Sequence, residues 1–199
     1  MADRKLFVIL GLSLALACGV GGCGKRGETQ SASAPAAQIG GPFQLIDQNG
    51  KPADQRLLLG KWTAVFFGYT YCPDVCPTTL QTLGSASELL GPRAKTFQVV
   101  FITVDPQRDT PSQLKDYLSS SSFPRGIAGL TGTPDQIGKA AGEYTVYFQK
   151  NGGGTSYSVD HSSAIYLMNP QGSFDSVIPF GLTPEQTRDQ ILKAMNKTG

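Results

Sequence analysis

At 199 residues, 40% hydrophobic and 9% aromatic, the chain can bury one domain-sized core but hardly two. Charged residues make up 16%, and 17 Lys+Arg against 15 Asp+Glu leave a formal charge of +2, so there is no basic field for nucleic acid and no acidic tail. The apolar content excludes disorder throughout, four cysteines are too sparse for a disulfide scaffold, and a single histidine excludes any site that needs two imidazoles.

Arg4 and Lys5 precede an apolar run from Leu6 to Val20 that ends in Gly21-Gly22-Cys23. The run is short for a spanning helix, which needs about 20 residues, and its layout is that of a secretory signal. Val20-Gly21-Gly22-Cys23 resembles the lipobox of bacterial lipoproteins, with Ala15-Leu16-Ala17-Cys18 a poorer match. Residues 1–22 are therefore expected to be removed, and Cys23 to become the acylated first residue of the mature chain. An uncleaved anchor helix is the alternative, and both place the remainder outside the cytoplasmic membrane. Residues 23–41 are rich in Gly, Ser, Ala and Gln and read as a flexible tether. Residues 42–199 make the folded domain, and the chain from Cys23 onward carries 14 acidic residues.

Phe43–Asp47 reads as a strand entering an Asn49-Gly50 turn, the start of an N-terminal β-hairpin. Ala64–Tyr69 is a continuous apolar strand of the kind buried on both faces in a parallel sheet. From Cys76 the apolar positions Leu80, Leu83 and Leu90 recur at helical spacing up to Gly91-Pro92, and Phe97–Val104 is the next buried strand. This strand–helix–strand order implies a right-handed parallel crossover. Thr110-Pro111, Thr133-Pro134 and Thr183-Pro184 each start a helix, with Thr as cap, Pro in the first turn and Gln three residues on to complete a capping box. Tyr144–Gln149, Ala164–Met168 and Phe174–Ile178 read as strands, with turns at Asn151–Gly154 and Asn169–Gly172. The pattern predicts a small α/β sandwich of the thioredoxin type: helices on both faces of a central mixed sheet, in three layers.

Cys72 and Cys76 stand four apart in GYTYCPDVCP, where a buried strand ends and a helix begins. Open α/β folds keep their sites at the carboxyl ends of strands, and a helix N-terminus stabilises thiolates. The pair can close a disulfide or chelate a soft metal ion; as a staple it encloses so small a loop that the entropic gain is modest. His161, the one histidine, precedes the strand at Ala164. Two thiolates and an imidazole suit copper in both oxidation states and are compatible with zinc. Asp105, Arg108 and Asp109 follow the Phe97–Val104 strand and should emerge at the same end, as turn and cap residues or as a charged rim that orients ligands. Tyr69, Tyr71 and Phe67 read as core or pocket wall.

GYTYCPDVCPTTL, VDPQRDTP, GLTGTPDQI and VDHSSAIYLMNPQG together resemble the Sco/SenC family, the copper-binding thioredoxin-like proteins of cytochrome c oxidase assembly. The resemblance spans about Phe43 to Asn196, with the four motifs in the family's order. It implies Cys72, Cys76 and His161 as ligands for Cu(I) or Cu(II), with Asp74, Asp105, Asp109 and Asp160 as supporting acidic residues. Tyr71 stands where many members have His, and Asn169 where many have Asp before Pro; neither departure touches a ligand position. The implied function is that of a lipid-anchored copper metallochaperone of the bacterial cell envelope, delivering copper to the dinuclear site of an oxidase subunit and meeting other copper chaperones or thiol reductants. The rival is a thiol-disulfide oxidoreductase that keeps the oxidase cysteines reduced; it needs Cys72 and Cys76 but not His161. Dedicated thiol exchangers of this fold usually carry two residues between the cysteines, and this chain carries three. A copper-dependent redox sensor would use the same residues, and a peroxiredoxin-like peroxidase lacks its lone reactive Cys.

Overall fold

The computed structural model describes residues 39–154 and 156–197. The signal run, both lipobox cysteines and the tether up to residue 38 lie outside these residues. No helix among the described residues is long and apolar enough to cross a membrane. The described chain opens on Ile39, which packs against the core, and on Gly40, whose N–H donates to the Glu143 carbonyl at 2.6 Å.

A β-hairpin comes first, β1 (Gln44–Asp47) and β2 (Pro52–Asp54). Asp47 Oδ1 accepts from the N–H groups of Asn49 and Lys51, both at 2.8 Å, and Gly50 supplies the positive φ of 76° that the turn requires. β3 (Trp62–Gly68) and β4 (Phe97–Thr103) flank α1 (Val75–Leu89) and pair in parallel from Trp62↔Phe97 to Gly68↔Thr103. Then follow α2 (Pro111–Leu118), β5 (Ala128–Thr131), α3 (Pro134–Glu143), β6 (Phe148–Gly153), β7 (Ser156–His161), β8 (Ile165–Met168), β9 (Phe174–Ile178) and α4 (Pro184–Lys197). Seven strands form one mixed sheet in the order β2-β1-β5-β4-β3-β8-β9, parallel across β3, β4 and β5 and antiparallel elsewhere.

Every residue of β3 is buried because both faces of the sheet are covered. On one face Phe66 meets Phe101 at 6.0 Å, and Phe101 meets Tyr117 of α2 at 6.2 Å. On the other Phe67 meets Tyr144, just after α3, at 5.3 Å and Tyr166 at 6.3 Å. Helices on both sides of a mixed sheet are the expected three-layer α/β sandwich. Phe66, Phe67 and Phe101 are all 0% exposed, and burial stabilises the fold by about 1.5–3 kcal/mol for each.

Three local differences from the sequence expectation have physical causes. β5 was not anticipated: AGLT is four residues with two glycines on either side of its start, too short to show a period, and it forms because β4 and β1 offer edges on both sides. The strand expected at Tyr144–Gln149 begins only at Phe148, since Thr145 adopts a φ of 55° after α3. Residues 151–153, read as a hairpin tip, continue β6, which pairs with β7 in a separate two-stranded sheet from Phe148↔His161 to Gly153↔Ser156. The capping boxes at Thr133 and Thr183 form reciprocally. At Thr110 only half forms: Gln113 N–H donates to Thr110 Oγ1, but the Gln113 amide turns away to Thr70 Oγ1 at 3.3 Å.

Candidate metal centre

β3 delivers the chain to the top of the sheet at Gly68, and after a six-residue loop α1 begins. Within that loop the Cys72 N–H donates to the Tyr69 carbonyl at 3.2 Å, a turn that folds the cysteine back over the helix start. Cys76 lies in the first turn of α1, 0% exposed, and its N–H points at Cys72 Sγ, 3.4 Å away. A Cβ on Gly68 would stand 2.9 Å from Cys76 Sγ and 2.8 Å from the Phe101 ring, so only a hydrogen fits beneath the sulfur. Both thiols are free and Cys72 is half-buried.

The two sulfurs divide their protons unequally. The Cys76 thiol donates to Cys72 and is the main reason the Cys72 pKa falls to about 4; burial opposes this, while His161 and the N–H groups of Cys76 and Asp74 add to it. Cys76 moves the other way, because it is the donor to Cys72, is buried, and faces the charge on its neighbour. At neutral pH the pair therefore holds one thiolate at the helix N-terminus and one thiol beneath it.

His161 arrives from the far side, at the end of β7. Its Nδ1 lies 2.9 Å from the Ser162 carbonyl, and because a carbonyl only accepts, Nδ1 donates its proton there and Nε2 faces the sulfurs. Nε2 is 3.5 Å from Cys76 Sγ. The ring is held edge-on against Tyr69 at 5.9 Å and Phe66 at 6.3 Å. Cys72 Sγ, Cys76 Sγ and a ring nitrogen of His161 all lie within 4.8 Å of one another. Metal–sulfur bonds of about 2.3 Å and metal–nitrogen bonds of about 2.0 Å place donors on a shared ion roughly 3.5–4.5 Å apart, so small side-chain adjustments close this set onto a soft ion.

The acidic residues divide into two kinds. Asp109, 0% exposed, accepts from the Thr70 N–H at 3.0 Å, the Thr70 hydroxyl at 2.7 Å and the Thr103 hydroxyl at 2.6 Å, and so pins the loop that carries Cys72; burial pushes its carboxyl pKa up. Asp105, also buried, accepts from Arg108 Nε and, at 2.7 Å, from the Tyr157 hydroxyl. Asp74 is exposed and takes the Thr78 hydroxyl at 3.2 Å, its backbone N–H being its link to Cys72. Asp160 is exposed on the hairpin face opposite Val159 and His161 and is not brought to the sulfurs. Tyr69 and Phe67 are buried as expected, whereas Tyr71 is 53% exposed and lies against Arg108. Tyr157 went unnoticed in the sequence: its alternation with Val159 and His161 was readable, but its partners Asp105 and Arg108 are about 50 residues away.

A thioredoxin-like sandwich with two cysteines at a helix start and a histidine facing them defines a class of thiol-imidazole proteins. The SCO1/SenC family model matches residues 31–196, and the chain belongs to that family. It is 44% identical over 144 residues to the mitochondrial protein SCO1 homolog 1 of Arabidopsis thaliana, a match that covers 71% of this chain and 42% of that protein. It is 42% identical over 167 residues to SenC of Rhodobacter capsulatus, covering 83% of this chain and 73% of the other. The chain thus spans less than half of the plant relative it matches. Among solved structures, ScoI of Bradyrhizobium japonicum with copper bound superposes with a TM-score of 0.71 at 44% identity, over 78% of this chain and 99% of that one.

Proposed function

We propose that this protein is a membrane-tethered copper metallochaperone that carries copper on Cys72, Cys76 and His161 and delivers it to the dinuclear copper site of a cytochrome c oxidase subunit. The observation that carries the reading is the meeting of two sulfurs and an imidazole nitrogen within 4.8 Å, from three places far apart in the chain. Thiolates favour Cu(I) and imidazole accommodates Cu(II), so one set of residues serves both states. Copper bound to a related ScoI supports the choice of metal. Copper is cargo here: with three ligands, two of them half-buried, the site leaves room for incoming thiolates of an acceptor to replace them one at a time. Asp109 and Asp105 support the ligand loops, and exposed Asp74 and Asp160 belong to the rim that a partner would meet.

The tether follows from the sequence: residues 1–22 a signal, Cys23 the acylated residue, 23–41 a spacer, 42–199 the copper-binding domain, all in a bacterial cell envelope. Mass spectrometry of the mature chain should find the lipid on Cys23; an unmodified N-terminus with the apolar run attached would replace the lipoprotein with an anchor helix. Delivery is tested by mixing the copper-loaded full-length chain with an oxidase subunit carrying an empty dinuclear site. Copper should pass to the subunit, and retention by this chain would reject the delivery role.

One observation favours a second reading, a thiol-disulfide oxidoreductase: a half-buried thiolate at Cys72 beside a buried thiol at Cys76. The Cys72 thiolate would attack a target disulfide and expel one target thiolate, and Cys76, losing its proton, would then close the Cys72–Cys76 disulfide and release the second. That cycle oxidises the pair, reduces the target, and makes no use of His161. Ready exchange of Cys72 and Cys76 with a model disulfide, unchanged in His161→Ala, in a parent that takes up no copper would favour this reading.

A further inference from the structure

The two halves of the metal centre come from different sheets. The cysteines stand on the seven-stranded sheet and α1, whereas His161 ends a two-stranded sheet. Such a pair of strands is at best marginally stable by itself, so His161 is only as well placed as the contacts that press the hairpin onto the body. Val159 supplies one by burial. Phe148 packs on the core and the His161 ring on Tyr69 and Phe66, and a further set of polar and aromatic contacts converges on one side chain, Arg108.

The Arg108 guanidinium lies 3.6 Å from the centre of the Tyr157 ring, on the hairpin, and 4.6 Å from that of Tyr71, the residue before Cys72. Its Nη1 donates to the Tyr157 carbonyl at 3.0 Å and its Nε to the Asp105 carboxylate, whose other oxygen takes the Tyr157 hydroxyl at 2.7 Å. Nη2 is buried without a hydrogen-bond partner in the protein, so Asp105 and the two rings, rather than full hydrogen bonding, set the position of the group. Only a planar cation with donors along its edge can stack on two rings and serve Asp105 and Tyr157 together, which an ammonium does not.

We propose that Arg108 is a positioning residue for the metal centre: clasped between Tyr71 and Tyr157, it closes the histidine half onto the cysteine half, and it governs how firmly His161 engages copper. The inference rests on the copper-carrying reading. Its consequence is selective. The sulfurs are held mainly by the core around Cys76 and by Asp109 under the Cys72 loop, so Cu(I) held mainly by thiolates is little affected when Arg108 is lost, while Cu(II), which draws on the imidazole, is released faster.

The test uses the full-length chain and the variants Arg108→Gln, Arg108→Lys and Tyr157→Phe, with His161→Ala as reference. Two readouts are taken. The first is the rate at which a chelator removes Cu(II) and, separately, Cu(I). Arg108→Gln should release Cu(II) roughly ten- to a hundredfold faster, within the range for residues that orient a ligand, with Cu(I) release changed far less. Arg108→Lys should not restore the parent rate, Tyr157→Phe should fall between, and in the His161→Ala background Arg108→Gln should add nothing further. The second readout needs no metal: the chain has one histidine, so its imidazole nitrogens give one assignable NMR signal pair, which should move from the fixed Nδ1–H form toward an averaged one in Arg108→Gln. Equal Cu(II) release and an unmoved imidazole signal would overturn the proposal. Equal acceleration of Cu(I) and Cu(II), or a further loss in the His161→Ala background, would make Arg108 a general stabiliser and also overturn it. A parent chain that takes up no copper would reject the copper-carrying reading, and the imidazole signal would still decide whether Arg108 holds the hairpin.

Discussion

Cys76 lies beneath the first turn of α1 at 0% exposure, against a β3 whose seven residues are all buried, whereas His161 ends a two-stranded sheet in which Gln149, Lys150, Gly152, Gly153 and Ser156 are exposed. The cysteine half is fixed by a hydrophobic core and by Asp109 under the loop. The histidine half is fixed by a few contacts at the edge of that core. Dense packing has one low-energy arrangement, and a lightly attached hairpin has more, so the contrast suits a carrier that must hold an ion and also let it go.

The largest effect should come from the rigid half. Cys76→Ser replaces a soft sulfur with a hard oxygen, and copper retention should fall by more than about a hundredfold in both oxidation states, beyond the range seen for supporting residues, as measured by chelator competition. The next distinguishes the halves by pH. Cys72 has a folded pKa near 4 against an ordinary 9, so its thiolate contributes stability that is fully present above pH 9 and is lost as pH falls through the folded value near 4. Alkylation by iodoacetamide should therefore persist at Cys72 of the native protein at pH 6, where the same residue in the denatured chain is nearly inert. A reactivity that rises only near pH 9 in both states would remove the account of a Cys72 thiolate held by the Cys76 thiol.

Gly68→Ala probes how tightly the cysteine half is packed. The added methyl meets Phe101 and Cys76 Sγ below 3.0 Å, and overpacking of this kind costs about 1–3 kcal/mol, a fall in Tm of roughly 2–4 °C for each kcal/mol. Thermal unfolding and Cys76 alkylation should both change, because the sulfur must move. Smallest is Thr133→Ala, which removes the side-chain cap of α3. It should cost about 1 kcal/mol in thermal or denaturant unfolding and leave copper binding as in the parent, since a cap acts on helix stability alone.

The same contrast explains what could be read from the chain before its structure. β3, β4 and α1 were legible because burial on both faces leaves an unbroken apolar run, and an amphipathic helix leaves a spacing of three and four. Cys72 and Cys76 stood out through their place at a strand-to-helix turn. The hairpin was not legible: Asn151–Gly154 carries turn residues although residues 151–153 are strand, because β6 is paired on one side only and packs few side chains. The clasp was hidden for another reason. Asp105 and Arg108 looked like turn chemistry, and nothing local connects them to Tyr157, which reaches them only when the hairpin folds back. Gln113 misled in the same way, its capping partner being local and its actual partner Thr70 43 residues distant.

The central claim is that sulfur and imidazole hold one copper ion together. An anaerobic copper titration of the reduced full-length chain, parent beside His161→Ala, tests it most directly through the sulfur-to-copper charge-transfer absorption. The account predicts one equivalent bound by the parent with a strong band that His161→Ala abolishes. No band in the parent, with Cys72 and Cys76 still exchanging readily with a model disulfide, would contradict it and leave a thiol reductase with a bystander histidine.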